Sequence, residues 1–426
     1  MRVLIVNTSE RTGGAAVAAH RLMMALNNNG VKAKMLVRDK EGANSSLTVV
    51  GLPKSSLLHW HFLWERLVIF CRLHFSKKHL FEIDIANSGS DITKLREFQE
   101  ADVIHLHWIN QGMLSLKNIQ KILSSGKPVV WTMHDIWPAT AICHYTRGCN
   151  YFKNRCAHCK LLPGGGSNND LSSAVWKKKE KMLDAGNIYF VACSRWLETE
   201  AKASALLRDH KITSIPNPID THVYCPQKKQ AVRKQLGLPE DKQIILFVSQ
   251  RVTDKRKGMD YFIEAIAHLV KTDPDVAQKT GIAILGGHSE DVAGQLSLPV
   301  YPLGYVSDEK KIVEVYNAAD VFVLPSLEDN LPNTIMEAMA CGVPCVGFKV
   351  GGIPEEIDHK RTGYVADYCR AEDLAAGIHW VLGEADYEQL SKNAVAKVAH
   401  CYSQQSVAIK YQDVYQQAMA FKHYKL

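Results

Sequence analysis

Short apolar runs alternate with longer stretches of helical period along most of the chain. In the first half, Val3 to Val6, Ala33 to Val37, Asp102 to Leu106, Pro128 to Met133 and Tyr189 to Cys193 have the length and composition of buried strands. Between the first two, Ala15 to Leu26 reads as a helix, opened by Gly13-Gly14 and closed near Gly30. Buried strands separated by helices predict a parallel sheet with right-handed crossovers. The segment Ile215-Pro216-Asn217-Pro218-Ile219 breaks the pattern, because two prolines this close stop regular structure and suit a stiff hinge. The alternation then restarts. Ile244 to Val248, Ile282 to Leu285, Val321 to Leu324 and Val343 to Gly347 read as strands, with helices after Gly258, Asp308, Pro332 and Glu372. Ser403 to Phe421 reads as a final helix. The predicted class is α/β: two doubly wound parallel-sheet domains, residues 1–217 and 218–402, facing across a cleft where such sheets bind ligands. Residues 403–426 are expected to pack back toward the first domain.

Composition narrows this picture. At 426 residues the chain exceeds the size at which one core usually splits. Hydrophobic residues at 46% and charged residues at 22% exclude global disorder. The net charge of +7 suits anionic ligands, and no nucleic-acid-binding motif is present, so nucleic acid is not an expected partner. The first residues read as a strand rather than a signal peptide. The longest apolar stretch, Leu57 to Phe75, is broken by His59, His61, Glu65, Arg66, Arg72 and His74, so it does not read as a bilayer span. A cytoplasmic chain with reduced thiols is expected.

Four segments at predicted strand ends carry chemistry. In Pro325-Ser-Leu-Glu-Asp-Asn-Leu-Pro332, a polar loop with adjacent acids runs into a helix whose N-terminal amides and dipole suit phosphate. Asp329 lies eight residues before Glu337. A nucleotide-sugar between them would set its sugar hydroxyls near the loop and its ribose near Glu337, since carboxylates accept from paired hydroxyls. The plainer alternative is an N-capping acid and a solvated helical glutamate. In Ser249 to Gly258, Arg251 offers a planar fork to phosphate oxygens and Lys257 a compact charge, while Lys255 and Arg256 read as solvated. In Asn7 to Gly14, the two glycines Gly13 and Gly14 let a ligand approach the backbone; the loop is not G-x-G-x-x-G, which argues against a dinucleotide-dependent oxidoreductase. His134, beside Asp135, would point into the cleft and hydrogen-bond a sugar; His107 is a weaker counterpart.

Taken together, the Gly-Gly loop, His134-Asp135, Arg251 with Lys257-Gly258, the Asp329/Glu337 segment, Gly351-Gly-Ile-Pro354 and Thr362-Gly-Tyr364 resemble the retaining glycosyltransferases of family 4, which have the GT-B fold of two Rossmann-like domains. The resemblance covers nearly the whole chain. It implies that Arg251 and Lys257 hold the donor diphosphate and that Asn330, Leu331, Pro332, Asn333 and Thr334 hold sugar and phosphates. By the same resemblance Gly14 lets the first-domain loop close, His134 contacts the donor sugar and Glu337 binds the ribose. The family's signature is Glu-x7-Glu. Here Asp329 stands at the first position, one methylene shorter, with Glu328 beside it, and either acid can be the one that approaches the sugar. The resemblance further implies a hexosyltransferase that needs no divalent metal for catalysis. Its donor would be a nucleotide-diphosphate sugar, and its acceptor a growing polysaccharide or lipid-linked oligosaccharide of capsule, exopolysaccharide or lipopolysaccharide type. The competing readings are a sugar-nucleotide epimerase of the same fold and an inert sugar-nucleotide or membrane-binding protein.

Two segments stand apart. Residues 143–163 hold four of the eleven cysteines; Cys143, Cys149, Cys156 and Cys159 are candidate ligands of a structural zinc, with His144 and His158 as substitutes and free thiols as the alternative. Leu57 to Phe75, followed by Lys77-Lys78, is aromatic and basic. It reads either as a helix lying on an anionic membrane, at the cytoplasmic face of the inner membrane, or as a first-domain helix with its polar face in water. The run Lys177 to Lys181 would assist the first reading.

Overall fold

The computed structural model describes residues 1–41, 48–53 and 56–420. The chain forms two compact units. The first is Met1–Pro218 together with the chain from Val407 on, and the second is Ile219–Ser406.

In the first unit the described strands are β1 (Arg2–Ser9), β2 (Lys32–Asp39), β3 (Val49–Gly51), β4 (Val103–Leu106), β5 (Val129–Met133), β6 (Ile188–Ala192) and β7 (Lys211–Ser214). They form one sheet in the order β3-β2-β1-β4-β5-β6-β7, every pairing parallel. The second unit has β8 (Gln243–Arg251), β9 (Thr280–Gly287), β10 (Val300–Gly304), β11 (Val321–Leu324), β12 (Cys345–Phe348) and β13 (Gly363–Ala366). Their order is β10-β9-β8-β11-β12-β13, again all parallel. Each sheet therefore reverses its strand order once, between β1 and β4 and between β8 and β11. At such a reversal the loops after neighbouring strands leave in opposite directions and open a crevice at the carboxyl ends. The central strands β4, β5, β11 and β12 are buried at every position, as covering a parallel sheet on both faces requires.

The predicted final helix runs Gln404–Ala420; Phe421, its expected last residue, lies outside the described residues. Val407, Tyr411, Val414, Tyr415 and Ala418 form its buried stripe, packed with Val3, Ile5, Val103 and Val130 of the first sheet. Two tyrosines add directed bonds. The Tyr415 hydroxyl lies 2.8 Å from His105 Nδ1, the Tyr411 hydroxyl 2.9 Å from Thr132 Oγ1, and His105 Nε2 2.8 Å from the same Thr132 oxygen. Burial draws the His105 pKa down to about 3, so the imidazole is neutral and serves once as donor and once as acceptor.

The stretch Leu57 to Phe75 forms the helix Ser56–Arg72 and a short exit. The charged residues Glu65 and Arg66 face inward. Glu65 Oε1 accepts from the amides of Ile85 at 2.9 Å and Ala86 at 2.7 Å, and Arg66 donates to Leu80 O at 2.7 Å and pairs with Asp84. The other Asp84 oxygen lies 2.6 Å from His144 Nε2, and His144 Nδ1 lies 2.8 Å from Asp135 Oδ2. Burial opposes charge on His144, but Asp135 and Asp84 outweigh it and push its pKa up to about 10. The helix packs on the first unit through Leu58, Val68 and Ile69, with His59 and Arg72 exposed, but two of its charged residues, Glu65 and Arg66, lie inside. Lys179, from the run credited with membrane contact, also points inward. Its Nζ donates to Trp137 O at 2.5 Å and Thr140 O at 2.9 Å and stands 3.3 Å over the Trp137 ring.

Because His144 keeps its proton in the folded state far above the ordinary histidine pKa, its stabilising contribution is complete below about pH 6.5. That contribution should fall by up to about 1.4 kcal/mol per pH unit as pH rises toward the folded pKa of about 10. Urea unfolding at pH 6, 7, 8 and 9 should show this decline in the wild type, whereas His144→Gln should be less stable at pH 6 and lack that part of the slope. Parallel curves for the two proteins would contradict the charge chain.

Candidate functional site

In the second unit the loops after β8 and β11 meet across the strand reversal. Lys257 Nζ lies 2.5 Å from Asp329 Oδ2, and Ser326 Oγ donates to the same oxygen at 3.1 Å. Arg256, expected to be solvated, instead reaches into this cluster. Its Nη1 donates to Glu328 O at 2.9 Å and stands 3.5 Å from Asp329 Oδ2. Lys255 is exposed, as expected. Of the two adjacent acids, Asp329 is buried and ion-paired, while Glu328 is partly exposed and its carbonyl binds Arg256. Burial alone would raise the Asp329 pKa; the charges of Lys257 and Arg256 and the hydrogen bonds from Lys257 and Ser326 more than offset it and hold the carboxylate below its usual range. Burial pulls Lys257 down, and Asp329 offsets only part of that pull.

Glycine makes this approach feasible. Gly258 has φ +73°, and a Cβ there would overlap the Pro325 carbonyl oxygen. Gly351, in the loop after β12, has φ +56°, and its Cβ would overlap the Asp329 carbonyl oxygen. The Asp329 loop is thus gripped from both sides by backbone that no side chain could separate.

Beyond the loop, the helix Asn333–Ala340 begins after Pro332, which has no N–H, and no side chain caps it. Among the described residues the buried Thr334 hydroxyl has no hydrogen-bond partner, Leu331 and Asn330 are buried, and Asn333 opens the helix. Glu337 is 8% exposed, so it is not a solvated helical glutamate, and its Oε2 accepts from the Tyr316 hydroxyl at 2.8 Å. Nothing in the sequence pattern singles out Tyr316, whose role depends on its helix, Glu309–Ala318, lying beside this one. Arg251 ends β8 with an exposed side chain, outside the Lys257–Asp329 cluster. The second unit thus brings Lys257, Asp329 and Arg256 into direct contact. It sets a helix N-terminus and Glu337 immediately downstream of them in the chain.

In the first unit the loops after β1, β4 and β5 are joined. The Thr8 amide and hydroxyl both donate to Trp108 O, at 2.8 and 3.0 Å, and the Trp108 amide donates to Asn7 Oδ1 at 2.9 Å. Gly13 has φ +92° and precedes the helix Gly14–Asn28, with open space where a Cβ would stand. His134 ends β5. Its Nε2 lies 2.9 Å from His107 Nδ1 and its Nδ1 lies 3.5 Å from Cys193 Sγ. Burial draws its pKa down to about 4 against the pull of Asp135, so at neutral pH it is an uncharged hydrogen-bonding group. Asp135 accepts from Trp108 Nε1, the Trp137 amide and His144. His107 is therefore a stronger feature than its sequence suggested: it is 3% exposed, and its Nε2 has no partner among the described residues.

A zinc site in the cysteine segment is not shown. Among the described residues no group of three or more His, Cys, Asp and Glu side chains is arranged to hold a metal ion, and Cys143, Cys149, Cys156 and Cys159 are free thiols. Burial pushes the Cys143 and Cys156 pKa values up to about 12, which keeps them protonated. The substitute ligands are engaged elsewhere: His144 bridges two carboxylates, and His158 Nε2 lies 2.9 Å from Asn168 Oδ1. Among the described residues, no helix is long and apolar enough to cross a membrane.

Comparison with known proteins places this geometry. A family model described as Glycosyltransferase Family 4 matches residues 12–223, and one described as Glycosyl transferases group 1 matches residues 228–397. A D-inositol 3-phosphate glycosyltransferase of Thermobispora bispora is 26% identical over 225 residues, covering 50% of this chain and 52% of that protein. The chain spans about half the length of the D-inositol 3-phosphate glycosyltransferases it matches. An uncharacterized glycosyltransferase of Methanocaldococcus jannaschii is 26% identical over 355 residues, covering 79% of this chain and 90% of that one. Among solved structures, sucrose-phosphate synthase from Thermosynechococcus elongatus superposes with a TM-score of 0.67 at 17% identity, covering 99% of both chains. Anabaena HepE in complex with UDP-glucose gives 0.64 at 17% identity, covering 98% of this chain and 100% of that one. The chain belongs to glycosyltransferase family 4, and its two parallel-sheet units are those of the GT-B fold.

Proposed function

We propose that this protein transfers a hexosyl group, with retention of anomeric configuration, from a nucleotide-diphosphate sugar to a growing polysaccharide or lipid-linked oligosaccharide. The observation that carries the reading is the buried Lys257–Asp329 pair, at the strand reversal of the second unit and just ahead of an uncapped helix N-terminus. Such a site neutralises a diphosphate: Lys257 and Arg251 supply charge, and the first amides of the helix Asn333–Ala340 supply donors. Glu337, oriented by Tyr316, suits the ribose hydroxyls. Asp329, held ionised, suits the sugar hydroxyls. A UDP-glucose complex of the structural relative HepE supports a donor of this class.

In the transfer, the acceptor hydroxyl oxygen bonds to the anomeric carbon from the face the diphosphate leaves. The anomeric carbon–oxygen bond breaks with its electron pair going to the diphosphate, whose oxygen takes the hydroxyl proton. No protein nucleophile is required. The neutral His134 imidazole and the Gly13-Gly14 loop are the first unit's own candidate contacts for a sugar and for phosphate. Cationic side chains and the helix terminus neutralise the leaving group, so catalysis would need no divalent metal.

A screen of nucleotide-sugars by thermal shift should find one donor that raises the melting temperature, since saturating ligand at 100 times its Kd adds about 2.7 kcal/mol. With that donor, nucleotide diphosphate should be released only when acceptor glycan is supplied, EDTA should leave the rate unchanged, and the new linkage should keep the donor's anomeric configuration by NMR. Release of an epimerised nucleotide-sugar without acceptor would overturn the reading.

Lys257→Ala should lower kcat/KM by about 100-fold or more, the scale of losing one electrostatic contact to a leaving group. Asp329→Asn should act comparably, while Glu328→Gln should stay within about three-fold, because only Asp329 is buried against Lys257. Equal effects at the two acids would show that the wrong one has been assigned.

A further inference from the structure

The helix Ser56–Arg72 is apolar on both faces, and it turns one stripe of large apolar residues outward. Leu57, Trp60, Leu63, Trp64 and Leu67 are 61, 63, 45, 52 and 52% exposed. At the angular spacing of an α-helix they lie in one continuous stripe, and Phe75 at 70% exposure extends it beyond the helix end, its ring edge-on to Phe70. The opposite face carries Ile69, buried, and the charged Glu65 and Arg66, whose hydrogen bonds to Ile85, Ala86, Leu80 and Asp84 fix the rotation of the helix. Turning the stripe inward would strand Glu65 and Arg66 without these partners and cost Asp84 its arginine. The helix backbone is pinned as well: Gly112 stands so close that a Cβ there would lie 2.6 Å from Phe62 N. The exposed stripe is therefore fixed in place by the packing beneath it.

A contiguous patch of this kind marks an interaction surface. Its rim selects the partner. From Leu57 to Lys78 the exposed ionised side chains are Arg72, Lys77 and Lys78, all cationic; the one acid of the segment, Glu65, is buried. A second copy of this chain would bring the same cationic rim to the contact with no acid in the segment to meet it. An anionic bilayer supplies both missing elements, an apolar layer for the leucines and phosphate for the cations. Two tryptophans four residues apart suit the headgroup boundary, where the ring is buried and the indole N–H stays hydrogen-bonded.

We propose that the outward face of Ser56–Arg72, with Phe75, Lys77 and Lys78, docks this protein on the surface of an anionic phospholipid membrane. The inference goes beyond the transferase reading and does not rest on it, because docking is measured without donor or acceptor. The test is co-sedimentation with phosphatidylglycerol–phosphatidylcholine vesicles and with phosphatidylcholine vesicles alone. Wild type should pellet with the first and not the second, and binding should weaken as salt is raised. Trp60→Ser/Trp64→Ser should weaken binding by about ten-fold or more, and Lys77→Gln/Lys78→Gln should remove most of the preference for anionic lipid. Both variants should keep the wild-type unfolding midpoint and any donor-induced thermal shift, since none of these side chains is buried. Absence of vesicle binding at low salt, or binding indifferent to the tryptophan pair, would overturn the proposal. So would a dimer by light scattering that the tryptophan substitutions convert to monomer, for then a second copy covers the stripe.

Discussion

The reversal of strand order between β8 and β11 is the constraint on which the second unit depends. It separates two loops that would otherwise run side by side and leaves a crevice whose walls are backbone. Gly258 and Gly351 then bring the walls back together at Asp329, at distances that a side chain on either glycine would forbid. Lys257 can reach Asp329 because the backbone has already done so. The first unit repeats the device with other chemistry. Across the β1/β4 reversal, Thr8 and Asn7 tie directly to Trp108, and the next position, His107, carries the contact on to His134.

Burying an ammonium and a carboxylate together costs desolvation that their attraction barely returns, so such a pair is weak evidence of stability. Its value lies in what an incoming anion finds. Lys257 is already stripped of most of its water, held in place, and easily drawn toward a ligand of higher charge than one carboxylate. In the proposed transfer Asp329, released from part of that duty, would accept from hydroxyls, and Arg256 would keep the loop in register through the Glu328 carbonyl. The arrangement is preorganised in the sense that counts for catalysis: the charges are placed before the reaction and need not reorganise during it.

What the sequence disclosed follows the same physics. The nine strands read from it are all interior to their sheets, where continuous apolar runs are obligatory. The four it missed, β3, β7, β10 and β13, are the edges of the two sheets, half exposed and short, with Pro302 inside β10. The sequence pointed to Lys257 and to the Asp329 segment, each at a strand end, and the structure brings the two loops together. The site was not legible where partners come from elsewhere. Tyr316 reaches Glu337 from a neighbouring helix, and Arg256 looks like any solvated arginine until the Glu328 carbonyl is beside it. In the cysteine segment, the substitute ligand His144 is bound by Asp84, sixty positions away, which spacing could not show.

The helix Ser56–Arg72 shows the limit of periodicity most sharply. A hydrophobic stripe reveals that a helix has two faces; it does not say which face is inside. Here apolar residues lie on both faces, and Glu65 and Arg66, whose partners Asp84, Ile85 and Ala86 are supplied by the following segment, fix which face is inside. Charges that are paired and hydrogen-bonded in the interior set rotation more strictly than apolar contact does, since an apolar face tolerates many neighbours and an ion pair tolerates few. The chain of pairs continues through His144 to Asp135, the residue after His134. The polar interior that forces the apolar stripe outward is thus the same one that anchors the loop carrying the candidate sugar-binding histidine.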